Sequence, residues 1–289
     1  MSEAQTTEQL PPAAALLVGD ALCAVDGSPG SIAAVEQAAA LAGAGGHLTV
    51  LEVTSFRSEG EYRSPAVSPG ESKAILDRAK SLAHDRGVSA TVEVDPASPP
   101  WRVILEWSFD HALLAMGAPN TSWFAGTFIH GDTTDAALRD LATPVLVARA
   151  VAGGRRFAEQ IVVASDGLPG SDELVEFAAQ LARAQGAKVT LLHATGHERS
   201  DARERIKVQA QRLDLFGDLD SDVRIEPGPA RTVIPAVAAA SDASLIVMGS
   251  RALRGLRLIG SVSRRVAHDA HCSVLLVPPE ALRRDRPAD

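Results

Sequence analysis

IVVASDGLPGSDELVEFAAQLARAQG, residues 161–186, repeats ALCAVDGSPGSIAAVEQAAALAGAGG, residues 21–46, at an offset of 140. Each stretch opens with a short apolar run that breaks at an Asp-Gly pair. Each then carries apolar residues at helical spacing until a glycine stops it. Strand, turn and helix are therefore written twice. The match continues in the same order: LTVLEVT (48–54) with VTLLHAT (189–195), LLAMGAPN (113–120) with LIVMGSRA (245–252), and TPVLVAR (143–149) with CSVLLVP (272–278). The chain reads as two copies of one unit, 18–150 and 157–279, joined by the Gly/Arg linker AVAGGRRF. Residues 1–17 read as a disordered lead-in and 280–289 as a tail.

Within the second copy, strand and helix periodicities alternate. Strands are expected at Ile161–Ser165, Val189–Ala194, around Val223 and Ile225, at Leu245–Met248 and at Val274–Val277. Helices are expected at Ser171–Gln185, 200–216, Thr232–Ala240 and 261–270. In the second of these, Ile206, Leu213 and Leu215 form the apolar face. Five strands alternating with helices predict an α/β fold: two doubly wound, five-stranded parallel domains of Rossmann-like type. Strands that are apolar throughout suit a sheet covered on both faces.

Composition narrows the function classes. Hydrophobic residues make up 46% and charged residues 22%, enough to build proper cores, but aromatics are only 4%. The cores must come from Ala, Val, Leu and Ile. A net charge of −8 argues against nucleic acid or an anionic membrane as partner. No apolar run approaches the ~18–20 residues of a membrane span. MSEAQTTEQLPP, at the start, has neither the basic nor the apolar region of a signal peptide. Cys23 and Cys272 lack metal-ligand spacing and read as buried thiols in a reducing cytoplasm.

Chemistry concentrates in LIVMGSRALRGLRLIGSVS, residues 245–263. A buried strand breaks at Gly249 into an arginine-studded loop, and Gly260-Ser261-Val262-Ser263 opens a helix. Helix N-termini leave N–H groups unpaired and favour anions. Arg251, Arg254, Arg257, Arg264 and Arg265 could hold phosphates through forked hydrogen bonds, or could form a solvated basic face. Ser261 is expected at the helix N-cap, as part of an anion site or as a plain cap. Doubly wound sheets bind ligands where strand order reverses. That puts the Asp166-Gly167 turn beside the Gly249 loop.

The A-x-D-G at strand 1, the VMGS after strand 4, the GSVS and the closing HCSVLLVP together resemble the universal stress protein family. The resemblance covers both copies and suggests a tandem member. It implies a five-stranded α/β fold and, in one branch of the family, ATP bound through G-x2-G-x9-G-[S/T]. Another branch lacks that motif and binds no ATP. By the same resemblance, Asp166 would contact ribose or adenine, and the last strands could pair as a pseudo-dimer within one chain or as a homodimer.

The second copy departs from the motif: Ala252 stands at the second glycine, and only residues 253–259 precede Gly260. An alanine there would cost ~1 kcal/mol if positive φ is needed. In the first copy, Asn120 replaces that glycine and Asp132 falls where Ser261 falls. A carboxylate at that place repels phosphate. Trp123, Phe124 and Phe128 add bulk, so the first copy is expected not to bind ATP in the family manner.

Other signals carry less. GAGG (43–46) follows a helix and reads as a stop, not a dinucleotide turn. No G-x4-G-K-[S/T] is present. His193/His197 and His268/His271 have no companion ligands. The polar stretch 55–70 reads as a solvated loop.

The leading expectation is a stress-response protein with regulatory binding of ATP or another adenine nucleotide, with magnesium alongside. The nucleotide-binding set is Asp166, Gly249, Arg251, Ala252, Gly260, Ser261, Val262 and Ser263. The alternatives are an interaction and dimerisation module that binds no nucleotide, and an ATP hydrolase. The last lacks a loop lysine and an evident general base, so enzymatic activity is not expected.

Overall fold

The computed structural model describes residues 20–54, 68–97, 99–118, 143–151, 153–196, 202–250 and 260–283. The first repeat runs β1 Ala21–Val25, α1 Pro29–Ala42, β2 His47–Val53, α2 Pro69–His84, β3 Ser89–Asp95, α3 Pro100–Ser108, β4 Leu113–Gly117 and β5 Val145–Ala148. The second runs β6 Gln160–Ala164, a 3-10 turn at Pro169–Ser171, α4 Asp172–Gln185, β7 Lys188–Ala194 and α5 Ala202–Asp214. It continues with β8 Ser221–Glu226, α6 Ala230–Ala240, β9 Leu245–Gly249, α7 Ser261–Asp269, β10 Ser273–Val277 and α8 Pro279–Arg283.

Each repeat is a doubly wound parallel sheet, as its alternating periodicities predict. The two do not remain separate sheets. The strand order is β3-β2-β1-β4-β5-β10-β9-β6-β7-β8, one ten-stranded sheet. All neighbours are parallel except β5 and β10, which pair antiparallel through Val147↔Val274, Leu146↔Leu275 and Val145↔Leu276. Strand order reverses between β1 and β4 and again between β6 and β9. These are the two places where such a sheet opens a cleft at its strand C-termini.

Helices cover both faces, and the central strands are buried from end to end. Helix α1 is apolar nearly all round because it is enclosed by strands, by α2 and by the other repeat. The Gln185 side chain, at the end of α4, donates to the Ala40 carbonyl of α1 at 2.9 Å, so the two equivalent helices meet at the seam. The edge strands β3 and β8 differ from the expectation of apolar strands. Glu93, Asp95, Asp222 and Arg224 interrupt them, as befits edges that must not recruit further strands.

The structure corrects several details. Helix α5 ends at Asp214, so Leu215 lies beyond it and is 83% exposed, while Ile206 and Leu213 are buried. Helix α6 starts at Ala230, directly after Pro229. The linker is pinned to the second repeat: Arg155 pairs with Asp242 at 2.8 Å, Arg156 donates to the Gln185 carbonyl at 2.8 Å, and Phe157 is buried. Cys23 and Cys272 are both buried free thiols, as expected. Among the described residues no helix is long and apolar enough to cross a membrane.

Candidate functional site

The two strand-1 turns diverge from one sequence difference. In the first repeat Ser28 caps α1: its Oγ accepts from Ser31 N–H at 3.2 Å, and the helix starts at once at Pro29. Asp26 Oδ1 accepts from Ser28 N–H at 2.9 Å. In the second repeat the equivalent of Ser28 is Leu168, which has no oxygen to offer. The chain makes a 3-10 turn instead, and α4 begins only at Asp172. Asp166 Oδ1 serves that turn, accepting from Leu168 N–H at 2.9 Å and from Ser171 Oγ at 2.8 Å. Asp166 is exposed at the strand end, with Gly167 at φ +68° behind it.

Beneath Asp166 lies a buried polar chain that the sequence reading missed. Ser165 Oγ accepts from Gly167 N–H at 3.1 Å and donates to Gln209 Oε1 at 2.7 Å. Gln209 Nε2 donates to Asp172 Oδ1 at 2.7 Å, and Arg205 Nη2 to Asp172 Oδ2 at 2.9 Å. His193 Nδ1 lies 3.0 Å from the Ser165 carbonyl oxygen. Residues of β6, β7, α4 and α5 are thus tied together directly below the turn. The available signal was a serine ending an otherwise apolar strand and a glutamine in the middle of α5. Neither His193 nor His268 joins a metal cluster, and no group of three or more metal-binding side chains occurs among the described residues.

On the neighbouring strand β9, Gly249 ends the ladder with β10, and Ser250 N–H donates to the Val277 carbonyl at 3.0 Å. Strands β6 and β9 pair directly, so the Asp166 turn and Gly249 emerge side by side from one edge of the sheet. Helix α7 returns to that edge. Its N-cap is Gly260, which has no side chain, and its first turn holds no acidic residue. Ser261 is therefore the first helical residue and not the N-cap. Ser261 and Val262 are exposed, whereas Ser263 is buried and donates from Oγ to the Gly249 carbonyl at 2.9 Å. That bond fastens the first turn of α7 to the end of β9. Among the described residues, the N–H groups that open α7 have no side-chain cap.

The structure thus brings Asp166, Gly249, Gly260, Ser261, Val262 and Ser263 to one strand edge. Arg251, Ala252, Arg254 and Arg257 lie outside the described residues, as do Asn120, Trp123, Phe124, Phe128 and Asp132 of the first repeat and His197.

The first repeat treats its own switch point differently. A Cβ on Gly117 would sit 2.8 Å from the Gly30 carbonyl carbon and 2.8 Å from Ser31 N. The end of β4 therefore rests on the first turn of α1, backbone against backbone. At the equivalent Gly249 and Gly170, no described atom lies within 4 Å of such a Cβ. Among the described residues, backbone crowds the strand end at the switch point of the first repeat and not that of the second.

The Universal stress protein family profile matches residues 19–149 and again residues 158–278. The chain belongs to the universal stress protein family. It is a tandem member, with a family domain in each half. A universal stress protein from Archaeoglobus fulgidus DSM 4304 is 20% identical, covering 91% of this chain and 97% of that chain with a TM-score of 0.74. A universal stress protein from Pseudomonas aeruginosa UCBPP-PA14, described as putative, is also 20% identical, covering 93% and 96% with a TM-score of 0.66. At that identity these similarities establish the fold. A universal stress protein in complex with cAMP is 27% identical over 43% of this chain and 99% of that chain, with a TM-score of 0.38. No curated protein matches.

Proposed function

We propose that the C-terminal repeat, 157–279, binds an adenine nucleotide, ATP or a close relative, and that binding regulates a cytoplasmic stress-response protein. The observation that carries this reading is the start of α7, which no described side chain caps, fastened by Ser263 to a Gly249 that no described atom crowds. Backbone N–H groups at Ser261, Val262 and Ser263 would receive phosphate oxygens, favoured by the helix dipole. Gly249 would let the ligand approach the strand end. Arg251 and Ala252 continue that loop, and Arg251 would supply a forked cation to the phosphates. Gly260 leaves the helix start without a competing side chain. Asp166 would face the ribose or adenine from the adjacent turn, and a magnesium ion would accompany the phosphates. Two unpaired buried thiols suit a reducing compartment.

Titration of the full chain with labelled ATP and magnesium tests the reading. Saturable binding below millimolar nucleotide is expected; its absence overturns the proposal. One observation favours a second reading, an interaction module that binds no nucleotide: Ala252 and the short spacer 253–259 depart from the glycine pattern of ATP-binding members. In that case no nucleotide would raise the melting temperature, because only a ligand of the folded state stabilises it.

A further inference from the structure

Arg149 ends the first repeat, immediately after β5, yet its guanidinium works in the second. Nη2 donates to the carbonyls of Ala267, at 2.6 Å, and His268, at 2.9 Å. Nη1 donates to the Cys272 carbonyl at 3.2 Å. These carbonyls belong to the last turn of α7 and the loop after it, where a helix leaves acceptors unpaired. The backbone of Arg149 is held equally firmly. Its N–H donates to Ser273 Oγ at 2.9 Å, and its carbonyl accepts from Gln37 Nε2 at 2.7 Å. Ser273 Oγ in turn donates to Gln37 Oε1 at 2.7 Å. Burial pulls the guanidinium below its ordinary pKa, opposed by charges that include Asp269, and an arginine remains a cation under any physiological condition.

Helix α7 is thus fixed at two points. Ser263 ties its first turn to Gly249, and Arg149 ties its last turn to the other repeat. The helix is nine residues long, and Val266 and Ala267 pack in the same core cluster as Val145 and Val147 of β5. A short rigid rod pinned at one end transmits a displacement there to the other. The arrangement is also one-sided. The residue equivalent to Arg149 in the second repeat is Pro278, which has no donor to return. The first repeat supplies the clamp, and the second receives it.

Resting on the nucleotide reading above, we infer that Arg149 is a positioning residue for the phosphate-binding start of α7, so that the first repeat serves as a buttress for the site of the second. Its role is to hold the N–H groups of Ser261, Val262 and Ser263 in register with Gly249. The part of the site formed by the Asp166 turn, on β6, lies outside its reach.

The experiment compares ATP with adenosine on the full chain, for the wild type, Arg149→Lys and Arg149→Met. Positioning of the phosphate end predicts a loss of ATP affinity of about fivefold or more in Arg149→Met, within the usual range of coupling between sites. Arg149→Lys should fall between, since one ammonium cannot span three carbonyls. Adenosine affinity should not change. In the wild type, ATP but not adenosine should slow hydrogen exchange in the last turn of α7. Equal losses for ATP and adenosine would make Arg149 a general stabiliser and overturn the inference, as would unchanged ATP affinity. Failure of Arg149→Met to fold leaves the lysine variant and the exchange measurement to decide. If the wild type binds neither ligand, the nucleotide reading itself falls and takes this inference with it.

Discussion

Gly30 and Gly117 touch through their backbones, so that the end of one strand rests on the first turn of a helix far away in sequence. Their equivalents Gly170 and Gly249 meet no described atom at the same distance. The four letters are the same in both repeats, yet among the described residues one pair is in contact and the other is not.

Replacing Gly117 by alanine should cost about 1–3 kcal/mol, because the new methyl meets backbone that cannot yield cheaply. Gly249→Ala should be neutral or stabilising by up to about 1 kcal/mol. Denaturant midpoints of the two variants measure the difference. Equal costs would mean that the two glycines are equally crowded.

Ser261→Asp should separate stability from binding. A carboxylate in the first turn of an uncapped helix is favourable by ~0.3–1 kcal/mol. The same charge would repel phosphate. The variant should melt slightly higher than the wild type and bind ATP far more weakly. Unchanged affinity would put the nucleotide elsewhere.

The seam should make the two repeats unfold together. Gln37 is buried, bonded to Ser273 and to the Arg149 carbonyl, and Gln37→Leu leaves the Ser273 hydroxyl proton and that carbonyl only their longer bond to each other, at 3.2 Å. A loss of about 1–3 kcal/mol is expected in a single cooperative transition. Calorimetry resolving two separate transitions in the wild type would contradict this.

Both cysteines should resist thiol reagents at neutral pH and react on unfolding. Burial pushes the Cys272 thiol up to about 11 and raises Cys23 as well. The folded state therefore holds protons that the unfolded chain releases near the ordinary thiol value of 9.0. Stability contributed by these groups is complete below that pH and declines as pH rises above it. Urea midpoints from pH 8 to 10, roughly spanning the thiol range, should fall less steeply in Cys272→Ala.

Much of this was legible in the letters. The internal repeat, the alternation of strand and helix and the Asp-Gly turns follow from periodicity and turn chemistry, which are local. The seam was not, because apolar strands such as VLVA and SVLL carry no mark of which neighbour each will choose. Only the family resemblance pointed to pairing of the last strands, and the buried Gln37 of α1 marks where the repeats meet. Ser261 was misread as the cap because serine is a good cap; the glycine before it takes that place, and Ser263 makes the bond that matters. The contact of Gly30 with Gly117 was invisible for a plainer reason: Gly30 and Gly170 are the same letter. The visible difference lies two positions earlier, where Ser28 caps a helix and Leu168 cannot.

The antiparallel pairing of Val145–Val147 with Val274–Leu276 has a genetic consequence. Two identical subunits joined along such an edge would share every mutation, and any change that shut one cleft would shut both. Carrying both partners on a single polypeptide removes that constraint. Each half can drift alone, at a fixed one-to-one ratio, without diluting the other with mismatched copies.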